Sequence, residues 1–266
     1  MDIFKAFEKS MGEYENIQKS KHWRKFDARK HLYTEENLEN FRNNKLSDGL
    51  DDRYSSGEQR EIFQDLVTEL GEEYVLSNLT DKNIGNSPNF FKVKDLFVDG
   101  GQNFHIKWLH ELEKLVFSKR KINYICEIGG GYGSLAQKIR SKHACKYILI
   151  DLPEANLLSS YYLSKHFPDL KILSSDEIDG KFVSKEDTEG YDFVIIPPWY
   201  ELGEDVKIDL FINTRSMMEM NLKVIKKYFD FIQTQIITGG FFLNINRYYK
   251  DSVGYPIKLS EYPYDE

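Results

Sequence analysis

Residues 125–135, ICEIGGGYGSL, bring an acid and four glycines together as Glu127-x-Gly129-x-Gly131-x-Gly133, with Gly130 between and Ser134 directly after. A strand that ends in spaced glycines and opens a helix can press its backbone against a ligand. No Cβ stands in the way, and the helix N-terminus offers free N–H donors. A dinucleotide fingerprint, G-x-G-x-x-G, would need glycine where Ser134 stands. Glu127, two positions before the first glycine, would repel a pyrophosphate and welcome an ammonium. The next apolar run, KYILID, ends in Asp151, eighteen residues beyond Gly133, where a carboxylate can accept both hydroxyls of a ribose. Together these residues describe an adenosine whose tail carries an ammonium in place of phosphates. S-adenosylmethionine has that make-up: adenine, ribose, a sulfonium and an amino acid tail.

The blocks EIGGGYGSL, IDLPE and IIPPW resemble the Rossmann-like (class I) S-adenosylmethionine-dependent methyltransferases. A narrower resemblance runs from Ile84 to the end. IGNSP (Ile84 to Pro88), CEIGGGYGSLA, IDLPE, DLFINTRSMMEMN, NINRY and EYPYDE are similar to the sugar O-methyltransferase family of polysaccharide biosynthesis and natural-product glycosylation. The resemblance implies methyl transfer to a hydroxyl of a sugar or glycan, as part of a surface polysaccharide, a glycosylated metabolite or a nucleotide sugar. It also implies that Glu127, Gly129, Gly131 and Gly133 line the methionine tail and that Asp151 and Leu152 meet the ribose and adenine. Asp176, in SSDEI, stands where many relatives place a partner for the adenine amine; a solvated turn acid is the competing reading. Rossmann-like methyltransferases usually add an antiparallel strand pair after the fifth strand. Only about twenty residues follow NINRY here, so a shortened or reduced sheet edge is expected.

Methyl transfer to a hydroxyl needs alignment above all, and one group to remove a proton. Histidine is the favoured type near neutral pH. The chain has six: His22, His31, His105, His110, His143 and His166. His143 and His166 fall near helix ends and read as surface residues. His105 and His110 fall in the helix before the first strand, where they can border the cofactor mouth. His105 is the candidate base, with packing as its alternative. In PPWYELGED, Trp199 offers a platform for a sugar face, or else plugs the core. Asp209 and Asn213, four apart on an expected helix, could serve a sugar or a divalent ion, or form an N-cap with a polar neighbour. Arg215, Glu219 and Lys223 follow at the same spacing as a solvated ladder, and the resemblance draws Glu219 out of it. Asn244, Asn246 and Arg247 close the last strand at its functional edge, where Arg247 could hold an acidic sugar or a nucleotide diphosphate, or pair with a carboxylate. Some sugar methyltransferases use magnesium, yet no compact Asp/His cluster here demands a metal.

Positioning these residues requires a sheet. From Ile122, short apolar runs alternate with helix-length segments, which is the grammar of an α/β fold: a mostly parallel, Rossmann-like sheet with helices on both faces. Ligands then bind beyond Ile128, Ile150, Leu173, Ile196 and Asn244. Residues 208–236 read as one long helix, with Phe211, Met218, Leu222, Ile225, Phe229 and Ile232 as its apolar stripe. Residues 1–120 read as an N-terminal helical cap on the substrate side and 121–266 as the S-adenosylmethionine-binding domain. Residues 83–101 interrupt the cap as a loop, and no strand alternation is seen before Arg120. The net charge of -7 and the lack of a basic run argue against nucleic acid. No stretch reaches the length of a membrane span, and a polar start argues for a cytoplasmic protein. Cys126 and Cys145 sit in or beside strands and read as reduced core thiols. Another small-molecule hydroxyl or amine as acceptor, and a non-catalytic binding protein, are the alternatives.

Overall fold

The protein is described by a computed structural model covering residues 2–14, 33–43, 56–251 and 256–264. His22 and His31 lie outside the described residues. Helix α1 (Ile3–Gly12) starts at Asp2, whose carboxylate accepts the N–H groups of Phe4 and Lys5. α2 (Glu35–Glu39) starts likewise at Thr34. α3 (Ser56–Leu70) and α4 (Glu72–Ser77) are separated by Gly71. The segment expected to be a loop holds a hairpin instead: β1 (Phe91–Val93) pairs antiparallel with β2 (Leu96–Val98). Three residues per strand are too few for alternation to register. Asp99 then caps α5 (Gly100–Leu112), which continues as a π-helical turn, Glu113–Phe117.

Beyond this point the chain runs β3 (Tyr124–Ile128), α6 (Ser134–Lys142), β4 (Lys146–Ile150), α7 (Pro153–His166) and β5 (Ile172–Ser174). It continues through β6 (Phe182–Val183), α8 (Lys185–Thr188), β7 (Phe193–Ile196) and β8 (Glu201–Leu202). The last elements are β9 (Ile208–Thr214), α9 (Leu222–Gln235), β10 (Ile236–Ile245), β11 (Tyr249–Lys250) and β12 (Ile257–Lys258). Six strands form the central sheet in the order β10-β9-β3-β4-β7-β5, and every pairing is parallel. This is the expected Rossmann-like α/β architecture. From β3 the chain moves to one side through β4, β5 and β7, then returns to place β9 on the other side. That reversal makes a switch point, so loops part at the carboxyl ends of β3 and β9 and leave a crevice between them.

The sheet divides two cores. Ile125, Tyr147 and Leu149 face the side covered by Leu135, Ala136 and Ile139 of α6 and Leu157 and Leu158 of α7. Cys126, Ile128, Ile148 and Ile150 face Ile225, Phe229 and Ile232 of α9. Each leucine, isoleucine or phenylalanine among them contributes roughly 1.5–3 kcal/mol over leaving it exposed. Phe7, Leu38, Phe41, Leu109 and Leu112, all before residue 120, belong to the same core as Ile125.

One further expectation is corrected. Residues 208–214 are a strand, and the helix begins only after Asn221, which caps α9 by accepting the Val224 N–H. Ile208, Leu210, Phe211 and Ile212 are fully buried beneath both faces, so the strand shows no alternation and its apolar run passes for a helix stripe. At the C-terminus, β10 is a parallel edge strand, and β11 and β12 pair in a separate small sheet. Among the described residues no antiparallel strand joins the main sheet. No described helix is long and apolar enough to cross a membrane.

Candidate functional site

The glycine loop leaves β3 at Gly129 (φ 76°) and enters α6 at Gly133 (φ 87°), both in the left-handed region where a side chain is strained. Space is short as well. A Cβ on Gly129 would overlap Ser216, and one on Gly130 would run into Leu149 and press on the Glu127 carboxylate. The two diverging loops of the switch point are tied together. Asn213 Nδ2 donates to the Ile128 carbonyl at 2.8 Å and to Ser216 Oγ at 2.6 Å, and Ser216 Oγ donates to that carbonyl at 3.0 Å.

Two carboxylates frame the loop. Glu127, 1% exposed, accepts a hydrogen bond from the Tyr147 hydroxyl at 2.8 Å. Burial pushes its pKa up to about 7; the Tyr147 bond opposes this, and the Asp151 charge adds to it. Half-buried Asp151 accepts the Gly131 N–H at 2.8 Å through Oδ2 and the Leu152 N–H at 2.7 Å through Oδ1. Burial pushes it, too, up to about 7, despite these two donors and with Glu219 and Glu154 adding repulsion. Among the described residues neither acid is paired with a lysine or arginine. A cationic ligand would meet two acceptors, each with lone pairs to spare.

Other expected residues lie elsewhere. Asp209 sits at the amino end of β9, where it accepts from Arg120 at 3.1 Å and from the Asn123 and Tyr124 N–H groups, each at 2.9 Å. It anchors the start of β3. Because 208–214 is a strand, Asp209 and Asn213 share no helix turn and stand about 13 Å apart along the chain. Asn213, fully buried at the carboxyl end, accepts from Asn246 Nδ2 at 2.8 Å. Asn246 Nδ2 also donates to Asn244 Oδ1 at 2.5 Å, and Asn244 Nδ2 to the exposed Tyr264 hydroxyl at 2.6 Å. An uncharged polar series thus runs from the glycine loop to the surface. Arg247 is exposed beside it. Glu219 pairs with Lys250 at 3.3 Å, and Arg215 precedes the helix in a left-handed conformation, so no ladder joins them.

Asp176 and Trp199 engage the first helix. Asp176 accepts from Ser174 Oγ at 2.5 Å and from the Asp2 N–H at 3.3 Å. Trp199 Nε1 donates to Glu13 at 2.8 Å, and its ring packs on Tyr14 with centroids 5.3 Å apart. α1 therefore closes the side of the crevice beyond β5 and β7.

His105 reaches the loop from α5. Its Nδ1 lies 2.8 Å from Ser134 Oγ, at the first residue of α6, and burial pushes its pKa down to about 3, with Lys138 adding to the effect and Asp99 opposing it. Behind it is a buried polar cluster. Arg42 pairs with Asp99 at 3.1 Å, and Lys138 Nζ donates to the Asn78 carbonyl at 2.9 Å and to Gln102 at 3.2 Å. The other described histidines are half-buried. His143 stacks on Phe117 at 3.9 Å, His110 meets the Tyr74 ring at 5.1 Å, and His166 meets Tyr162 at 4.5 Å. His143 and His166 are thus packed instead of free at the surface, stacking on aromatic rings that the helical pattern alone does not locate. Ser216, Ser134, Tyr147 and Tyr162 escaped sequence reasoning. Ser216 is hidden in the sequence because its loop continues the apolar spacing of a helix.

Among the described residues no group of three or more His, Cys, Asp or Glu is placed to hold a metal ion. Two clefts of about 420 and 470 Å³ open at the amino ends of the strands, near Leu170, Tyr191 and Asn123. They face away from the glycine loop, and parallel sheets bind ligands at the opposite end.

No family description matches the sequence, and no curated protein matches it. Among solved structures, human N-acetylserotonin methyltransferase in complex with S-adenosylmethionine is similar at 16% identity, over 74% of this chain and 55% of that one, with a TM-score of 0.28. The chain spans about half the length of that protein.

Proposed function

We propose that the protein is an S-adenosylmethionine-dependent methyltransferase acting on a hydroxyl of a small molecule, and that this hydroxyl belongs to a sugar. The observation that carries the reading is the glycine loop at the switch point, framed by Glu127 and Asp151, neither of which is paired with a lysine or arginine among the described residues. The loop suits the group, since among the described residues buried Glu127 and half-buried Asp151 are not paired with a lysine or arginine.

Glu127 holds the ammonium of the tail, and the backbone of Gly129, Gly131 and Gly133 follows that tail without side-chain obstruction. Asp151 accepts the ribose hydroxyls, and Leu152 lies against the adenine. Asp176 borders the adenine side under α1. When bound, the cofactor supplies an electrophilic methyl on its sulfonium. The elements before residue 120 cap the cleft, α1 over the adenine end and α5 beside the tail. The acceptor lies along the polar series of Asn213, Asn246 and Asn244, with Arg247 and Trp199 at its rim. The half-buried amides of Asn244 and Asn246 keep acceptor capacity toward a neighbouring hydroxyl, which supports a sugar together with the sequence resemblance.

Incubating the protein with labelled S-adenosylmethionine and a set of nucleotide sugars and surface-glycan fragments tests the reading. Methyl transfer to a sugar oxygen is the expected result. Transfer only to non-sugar hydroxyls or amines would remove the sugar assignment and keep the methyltransferase.

A further inference from the structure

The last strand of the central sheet has an open side. No residue of β10 is buried, whereas its neighbour β9 is buried from Ile208 to Asn213. The two strands pair at Ile236 and then in regular register from Phe241 to Ile245; the residues between are displaced, with Gly239 at φ 75°. The regular run is about 17 Å long.

One contact fixes which backbone groups of this run face outward. The Ile245 carbonyl accepts the Arg215 N–H at 2.7 Å, on the β9 side. Backbone groups alternate sides along a strand, so Phe241, Leu243 and Ile245 turn theirs to β9, and Phe242 and Asn244 turn theirs away from it. Among the described residues nothing pairs with the outward N–H and C=O groups of Phe242 and Asn244.

The side chains leave this edge unguarded. Residues 231–246 contain no Asp, Glu, Lys, Arg, His or Pro, in a chain that is 30% charged. Strand edges that stay in water carry such residues to repel a second strand, so this edge suits a partner strand. Symmetry selects the partner. About a twofold axis a side chain meets itself, and a charge there would face its like; an uncharged edge meets no such penalty. Exposed Tyr264, whose hydroxyl accepts from Asn244, stands beside the run, and tyrosine is enriched in interfaces.

We propose that β10 pairs antiparallel with β10 of a second copy of this chain, about an axis at Leu243, and joins the two sheets into one. Phe242 of each copy exchanges both backbone bonds with Asn244 of the other. The two Leu243 side chains meet as a non-hydrogen-bonded pair on the face that α6 and α7 cover. The two strands run in opposite directions, so the two glycine loops open at opposite ends of the joined sheet. The pairing is independent of the proposed cofactor.

Sedimentation velocity of the unaltered protein at roughly micromolar concentration should show a dimer. Leu243→Lys and Leu243→Glu each set like charges across the axis and should weaken self-association at least about tenfold. Mixed in equal amounts, the two variants should recover a dimer with one chain of each, which a loss of folding could not produce. Leu243→Cys keeps the edge uncharged. Its thiols should form a disulfide between copies on oxidation, since such partners stand about 4.5 Å apart at Cα. The unaltered protein, with buried Cys126 and Cys145, is the control. A monomeric unaltered protein overturns the inference and leaves the edge to a different partner. A dimer that both charged variants leave intact, or the lack of a disulfide in Leu243→Cys, overturns it equally.

Discussion

Asp151 holds Gly131. Its Oδ2 accepts the Gly131 N–H at 2.8 Å, so the acid at the end of one central strand fixes the glycine loop that follows its neighbour. The same carboxylate is proposed to accept the ribose, so loop shape and sugar recognition depend on one side chain. Asp151→Ala should weaken S-adenosylhomocysteine by at least about tenfold, since a charge-assisted bond contributes about 1.5–3 kcal/mol. Asp151→Asn should keep more of the loop than Asp151→Ala, and calorimetry beside thermal denaturation separates the two effects. Equal affinity in all three proteins would remove the ribose assignment.

The two framing acids set a pH dependence. Glu127 rises from 4.5 to about 7 and Asp151 from 3.8 to about 7, so the folded protein holds protons that the unfolded chain has already released. Their contribution to stability is present below about pH 4 and is lost as pH rises through 7. Ligand binding runs the other way, because a cationic tail favours the ionised acids. Affinity for S-adenosylmethionine should increase from pH 6 to pH 8, with proton uptake by the buffer. Titrations in two buffers of different ionisation enthalpy measure that proton release directly; identical heats would contradict it.

Gly129 tests the crowding at the switch point. Gly129→Ala combines a positive φ with a clash on Ser216, and such backbone strain costs on the order of 1–3 kcal/mol. Ser216→Gly in the same chain removes the clash but not the strain, so it should recover part of the lost stability and binding. A double-mutant cycle reads the coupling. Strict additivity would show that the two loops do not meet as described.

Asp209 and Asn213 should behave oppositely. Asp209→Ala removes the acceptor of Arg120 and of two backbone N–H groups at the amino end of the sheet, so it should lower Tm and leave S-adenosylhomocysteine affinity intact. Asn213→Ala removes one donor to the Ile128 carbonyl and to Ser216 beside the glycine loop, so it should lower both. Loss of binding in Asp209→Ala at a temperature where it stays folded would return that residue to the site.

Much of this site was legible because glycines and terminal acids act locally. A strand end, a glycine turn and a helix start follow one another within eleven residues, and the sequence from Ile125 to Leu135 carries all three. The second strand was equally clear, since KYILI is apolar and stops at an acid. What stayed hidden depends on tertiary pairing. β9 has no alternation because both its faces are buried, so Asp209 and Asn213 seemed to share a helix when they mark opposite ends of a strand. The tie between Asp176 and Asp2 spans 174 positions, and no local pattern announces it. His105 was visible as a type, but its contact with Ser134 depends on the packing of α5 against α6.

The glycine loop with Glu127 and Asp151 is proposed to receive the cationic tail of S-adenosylmethionine. Calorimetric titration of the folded protein at pH 8 tests it most directly, with Glu127→Gln alongside. The expected result is one-site binding in roughly the micromolar range, weakened at least about tenfold in Glu127→Gln. No heat from a folded protein, or equal affinity in the two proteins, would contradict it.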